Sequence, residues 1–267
     1  MNSSLLNEDL TKTVCLTVDV EWASPAVLQD TVALLDERNL QATFFCTHPD
    51  INVNGHERAL HPNFRRDGDI LKKLYKEIGS ELCDWTDKEI YQYVIQKNKS
   101  FCPEAVGVRG HCQFFDSALL SIYQKAGLKY DSSCFLPMSK DLKPVWKEND
   151  ILEIPIYYMD HVDIMNQETG FNIEGLHMEQ PGMKVFDFHP NMIFLNVSTE
   201  TQYLESKPYY HNYEQLLRLR RPDRGIRTLF LELLDYIKKE ELTTAVLADV
   251  NVAYRKDRTQ KVERVSE

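Results

Sequence analysis

Short apolar runs rich in β-branched residues alternate along this chain with longer stretches in which apolar residues recur three and four apart. Val14–Val20 (VCLTVDV) predicts a first strand. Ser24-Pro25 then signals a helix start, with proline at its favoured first position, and VLQDTVALLDE carries the helical period. Gln41–Thr47 predicts a second strand and Glu57–Leu60 a short third, with helices expected over Ile70–Ile78 and Asp87–Gln96. Ala105–Val108 predicts the next strand; Asp116 is placed to cap a helix reaching Ala126, and Gly127 to stop it in the left-handed region. Tyr130–Phe135, Ile151–Tyr158 and Lys184–Phe188 predict further strands. Helical period over Tyr213–Leu219 breaks near Pro222 and resumes over Ile226–Glu240. Thr243–Val250 predicts a last strand, and the charged tail after Tyr254 is expected to be mobile.

Strand–helix alternation sustained over 267 residues argues for a parallel α/β fold, most economically a (β/α) barrel. Neither a linker-like stretch nor an internal repeat interrupts it, so residues 1–267 read as one domain. With 43% apolar and 27% charged residues the composition excludes a disordered or low-complexity chain. The 41 acidic against 31 basic residues leave a net charge of −10, which argues against nucleic acid or an anionic membrane as the main partner. No apolar run is long enough to span a bilayer, and MNSSLLNEDLTKT lacks the basic and apolar regions of a secretion signal. A cytoplasmic location is therefore expected, with the six scattered cysteines as reduced thiols.

The chemistry-bearing residues gather at predicted strand ends. Of eight histidines, His48, His61, His111 and His189 each follow a strand directly. Asp19 and Glu21 close the first strand, Arg109 the fourth and Asp249 the last. In parallel α/β folds such ends converge on one face, where active sites are built. Residues two apart in a strand share a face, so Asp19 and Glu21 can enter one site while Val20 packs away. Two neighbouring carboxylates repel unless a cation lies between them, which a divalent metal beside one and Arg109 beside the other would supply. His-Pro-Asn occurs twice, at His61–Asn63 and His189–Asn191. Each proline is placed to end a strand and each asparagine to form an Asx turn that fixes the histidine's exit angle. Trp22, Phe114, Phe115, Tyr157 and Tyr158 are candidates for stacking on a sugar ring, and Cys112 reads as structural rather than nucleophilic.

The segments LTVDVEW (16–22), ATFFCTH (42–48), GHERALHPNF (55–64), VGVRGHCQFFD (106–116), LKYDSSCF (128–135) and VFDFHPNMIFLN (185–196) together resemble the polysaccharide deacetylase superfamily, the NodB-homology fold. LHPNF, RGH and DFHPNMIFLN are similar to a divergent branch associated with surface-polysaccharide, O-antigen type, biosynthesis. The resemblance implies a distorted (β/α) barrel of about seven parallel strands and metal-dependent removal of an acetyl group from a sugar. It implies that Asp19 is the general base, Arg109 its ionising partner, His61 a metal ligand and His189 the general acid. The family's second acid in its first motif is replaced here by Val20, and its second histidine by Arg65. The metal role therefore moves to Glu21, and His111 is nominated as third ligand with His48 in reserve. Trp22 and Phe114 are the nominated substrate contacts.

The resulting expectation is a metal-dependent hydrolase that deacetylates an N-acetylated sugar, a small-molecule (nucleotide-linked) or lipid-linked precursor, in surface-polysaccharide biosynthesis. Its metal would be zinc, with cobalt, nickel or manganese as alternatives. Competing readings are hydrolysis of another amide or ring C–N bond, and a non-catalytic carbohydrate-binding or assembly protein on the same fold. The sugar, the acylated position and the oligomeric state are left open.

Overall fold

The computed structural model describes residues 12–265, with side chains to residue 258. Its sheet starts from β1 (Val14–Asp19), six residues buried on both faces, as parallel strands covered by helices must be. β2 (Thr43–Cys46) and β9 (Lys184–Phe188) flank β1 in parallel, and β3 (Glu57–Leu60), β4 (Gly107–Val108) and β5 (Tyr130–Asp131) continue outward from β2. β7 (Leu152–Glu153) pairs with β5, and β8 (Tyr158–Met159) pairs with β9 at the other end of the ladder.

β7 and β8 are the two ends of one extended segment, which closes the ring. The Ile154 and Ile156 amides donate to Asp131 and Cys134 carbonyls at 2.8 Å each, and the Tyr157 amide donates to Val185 carbonyl at 2.8 Å. The segment read from sequence as a single strand over Ile151–Tyr158 thus crosses from β5 to β9, and the curled, mostly parallel sheet counts nine short strands where about seven were expected. A ninth short strand, β6 (Val145–Trp146), adds antiparallel to β7 at the rim.

Helices pack around this ring. α1 (Pro25–Asp36) lies between the first two strands, followed by α2 (Asp69–Ile78), α3 (Asp87–Phe101), α4 (Ser117–Lys125) and α5 (Asp160–Asn166). α6 (Pro190–Leu195), α7 (Glu200–Ser206), α8 (Tyr213–Leu219) and α9 (Ile226–Lys239) come after β9. α9 buries Ile226, Leu229, Phe230, Leu233, Leu234 and Ile237, the three-and-four spacing that predicted it. Asp116 caps α4 by accepting from the Ala118 amide at 2.8 Å, and Gly127 ends it at φ +79°. Ser24 precedes Pro25 as expected but makes no side-chain cap.

The last strand expected from sequence is a helix. Thr244 makes only a single bridge to Val14, after which α10 (Leu247–Val265) begins. Its first turn seats on the strand starts: the Leu247 amide donates to Thr43 Oγ1 at 2.9 Å and the Ala248 amide to Glu57 Oε2 at 3.0 Å. These side chains satisfy amides that a helix N-terminus otherwise leaves open, and satisfying them favours helix over a further run of sheet. Asp249 consequently lies at the opposite end of the barrel from the other candidates. The charged stretch after Tyr254, expected to be mobile, continues the same helix. Among the described residues, no helix is long and apolar enough to cross a membrane.

Candidate active site

The C-terminal strand ends do converge, on a cavity of about 580 Å³. Asp19 ends β1, His61 follows β3, Arg109 follows β4, and His189 follows β9. His61, Asp19, Arg109 and His189 are each at least nine-tenths buried. The approach of Glu21 differs from the sequence expectation. β1 stops at Asp19 and Glu21 adopts a left-handed φ of 52°, so a turn, not strand alternation, brings the two carboxylates together. A non-glycine residue there costs on the order of 1–3 kcal/mol. Thr47 Oγ1 donates to the Glu21 carbonyl and holds the turn.

Glu21 Oε1 lies 3.0 Å from His111 Nδ1 and 3.5 Å from His61 Nε2, and the two ring nitrogens are 3.4 Å apart. Donor atoms bound at about 2.0–2.2 Å in a tetrahedron are separated by about 3.3–3.6 Å. One carboxylate and two imidazoles at these spacings fit a divalent cation. His61 Nδ1 lies 2.9 Å from the Arg109 carbonyl, which can only accept. That bond fixes the proton on Nδ1 and leaves the Nε2 lone pair facing Glu21 and His111. The charges agree with such a site. Burial works to raise the Glu21 pKa, but His111 and His61 outweigh it and hold the carboxyl well below its usual range. For His111, burial opposes the charged form, yet Cys112 and Glu21 push the imidazole up to about 10. A proton and a metal compete for that nitrogen.

Beside this cluster Asp19 Oδ1 accepts from Arg109 Nη1 at 2.9 Å, and Asp19 Oδ2 is 3.6 Å from His61 Nε2. The guanidinium is fully enclosed. Arg109 Nη1 also reaches Asp187 Oδ1 at 2.6 Å and Thr17 Oγ1 at 2.9 Å, and Nε and Nη2 donate to Ser132 O and Oγ at 2.8 and 3.0 Å. Its flat face lies 4.1 Å from the centroid of Phe45. The two acids sharing this one cation are driven apart. Burial works to raise Asp19, but His61, Arg109 and His189 hold it below the usual carboxylate range. Burial dominates at Asp187, which is raised well above it despite Arg109. The surroundings thus favour ionisation of Asp19 over that of Asp187, whose Oδ2 has no hydrogen-bond partner.

His189 is clamped from one side. Asp160 Oδ1 lies 2.6 Å from its Nδ1, and Asp160 Oδ2 accepts its backbone amide at 2.7 Å. Burial disfavours a charged His189, but Asp160 outweighs it and raises the imidazole well above its ordinary value. Nε2 is left toward the cavity, 3.9 Å from Glu21 Oε1.

Other expectations divide. Trp22 lines the cavity, with its indole nitrogen donating to Asp69 at 2.6 Å and its ring edge-on to His111. Phe114 instead turns inward between Phe64 and Tyr91, because these rings offer an apolar berth the solvent side lacks. Tyr157 and Tyr158 are buried, their hydroxyls bonded to Leu176 O and Asp163 Oδ2 at 2.9 Å each. Phe115 is exposed with Lys147 over its ring, outside the cavity wall. His48, the reserve ligand, bonds Thr47 Oγ1 at 2.8 Å and does not join the cluster. Cys112 lies at the cavity mouth, its thiol lowered by the His111 ring. Asn63 makes the expected Asx turn, accepting from the Arg65 amide at 3.1 Å. Asn191 does not: Pro190 opens α6 at once, and the Asn191 side-chain oxygen is buried without a partner.

Sequence reasoning missed Asp187, Asp160 and the wall formed by His161, Tyr203 and Tyr210. Asp187 carried a signal: an acid inside the apolar strand KVFDF, two residues before His189 and so on its face. Asp160 likewise interrupts an apolar run.

The profile of the WbmS-like polysaccharide deacetylases matches residues 16–207. The chain is 26% identical to a Bordetella bronchiseptica protein described as a polysaccharide deacetylase involved in O-antigen biosynthesis, over 85% of this chain and 91% of that one, with a TM-score of 0.71. A Mycobacterium smegmatis protein described as a polysaccharide deacetylase shares the fold at 15% identity, over 94% and 92% of the two chains, with a TM-score of 0.54. No curated protein matches the chain.

Proposed function

Because the chain belongs to the WbmS-like polysaccharide deacetylase family, we propose that it is a divalent-metal-dependent hydrolase that removes the acetyl group from an N-acetylated sugar of surface-polysaccharide biosynthesis. The observation that carries this reading is the convergence of Glu21, His61 and His111 donor atoms within 3.0–3.5 Å, directly beside the Asp19–Arg109 pair. A divalent cation, zinc by the mixed nitrogen and oxygen donors, supplies Lewis acidity toward the acetyl carbonyl and acidifies a neighbouring water.

The chain's own residues supply the proton movements. Asp19, kept ionised by Arg109, accepts the proton of the water that attacks the acetyl carbon. Arg109 holds Asp19 at one oxygen and so aims the other toward His61 and the cavity. Glu21, His61 and His111 are the ligands. His189, held protonated by Asp160, delivers a proton from Nε2 to the amine nitrogen as the C–N bond breaks, giving acetate and the free amino sugar. Trp22 forms the side wall against which a sugar ring stacks.

The test is acetate release from N-acetylated sugars by zinc- or cobalt-loaded protein, compared with Asp19→Asn. We expect a loss of at least about 100-fold in kcat from the removal of a general base. Undiminished activity in Asp19→Asn overturns the assignment.

A further inference from the structure

The cavity holds carboxylates matched by cationic groups at its floor and exposed cations at its mouth. All three carboxylates that line it, Asp19, Glu21 and Asp187, are sunk in the floor, and Arg109 already faces two of them. The exposed charged residues on its wall are Arg65 and Lys207, from opposite flanks. Arg65 stands on the β3 side, with its side chain 62% exposed and its guanidinium reaching the Cys112 thiol. Its one carboxylate neighbour, Asp67 at 3.3 Å, is 69% exposed and lies outside the cavity wall, so solvent screens the pair. Lys207 stands on the α7 side, its ammonium 4.8 Å over the Tyr203 ring, and makes no ion pair among the described residues. In a chain with ten more acids than bases, a rim bearing two cations and no carboxylate runs against composition. A cleft with low-dielectric walls concentrates such a field on what enters it.

We propose that the substrate is an anionic N-acetylated sugar, whose phosphate ester or carboxylate group is held at the mouth by Lys207 and Arg65 while the acetamido group reaches the floor. The proposal rests on the deacetylase reading for the end of the sugar that reacts, and adds the charge of the end that does not. A neutral sugar offers these cations only hydroxyl acceptors, with no opposite charge to meet them. An anion engages them in charge-assisted hydrogen bonds, which are roughly twice as strong as neutral ones.

The test measures binding by calorimetry to zinc-loaded, full-length Asp19→Asn protein, with three probes: N-acetylglucosamine, its 1-phosphate, and N-acetylglucosaminuronic acid. At least one anionic probe is expected to bind about 10-fold or more tightly than the neutral sugar, equivalent to about 1.4 kcal/mol. Which anion wins identifies the phosphate or the carboxylate as the source. Lys207→Glu or Arg65→Glu in the same background should bring the preference to within about 2-fold, as should molar salt, which shortens the Debye length to about 3 Å. Equal binding of all three probes, no measurable binding of either anionic probe by protein of unaltered melting temperature, or a preference that survives both charge reversals overturns the inference. Acetate release by the wild-type protein from the same probes reads the deacetylase assignment separately. A retained anionic preference without acetate would sink that assignment and leave the mouth as described.

Discussion

Replacing Asp160 by Asn tests the assignment of His189 as the proton donor, because the change keeps the shape of the side chain and removes one acceptor. Asp160 is fully buried and both of its oxygens accept, at 2.6 Å from His189 Nδ1 and 2.7 Å from the His189 amide. Asparagine has one oxygen for these two donors. If the oxygen keeps the backbone amide, the NH2 group faces Nδ1 and forces the ring into the neutral tautomer. If it keeps the ring, the backbone N–H confronts another donor. Breaking a buried charge pair costs about 3–5 kcal/mol, and this cost falls on the imidazolium form. At 1.36 kcal/mol per pKa unit, His189 drops by roughly two to four units. The sign follows from the direction of its present shift. His189 lies well above its ordinary value, so it is protonated at neutral pH and its donor activity is lost as pH rises through that raised value. Asp160→Asn moves the loss to lower pH. Initial rates of acetate release from about pH 5 to about pH 9 should show kcat at neutrality lowered about 10²–10⁴-fold, the usual worth of a positioned acid, with the residual activity confined to the acidic side. Thermal melts of both proteins establish that the fold persists. A folded Asp160→Asn protein with kcat within about 3-fold of wild type across that range would refute the role of His189.

Two further outcomes are open to measurement. Equilibrium dialysis should find about one zinc per chain in the wild type, almost none in His61→Ala or Glu21→Gln, and an unchanged content in His48→Ala; loss of zinc in His48→Ala alone would reassign the site. Glu57→Ala should lower the unfolding free energy in urea by about 2–4 kcal/mol, since it strips partners from Thr43, Tyr130 and the Ala248 amide together; a change below about 0.5 kcal/mol would show that these groups find water instead.

The barrel was legible because its staves are continuous apolar runs. Lys184–Phe188 falls where its valine and two phenylalanines place it, and the closing segment near Ile154 read correctly as one extended stretch. Thr243–Val250 misled because Thr, Val and Ala suit a strand as well as a helix, and what decides is the pair of acceptors that Thr43 and Glu57 present from 190 or more positions away. Of the four strand-end histidines, His61, His111 and His189 meet Asp19 and Arg109 at one cavity, and His48 does not. The site's supporting acids stayed hidden: Asp160 acts only through a neighbour brought to it by folding, and Asp187 sat unmarked in a stretch read for its apolar character. Phe114, Tyr157 and Tyr158 show the same limit from the other side. An aromatic ring near a strand end has two apolar destinations, and only packing against residues such as Phe64 and Phe186 determines which it takes.

Val14 is stitched on one edge to Thr243 and Ala245, through bonds of 2.9 and 3.2 Å that join positions about 230 apart. β1 is thereby fastened at its start by the segment that leads into α10. A chain cut short of Leu247 would present Glu57 and Thr43 to solvent as an unfinished seam.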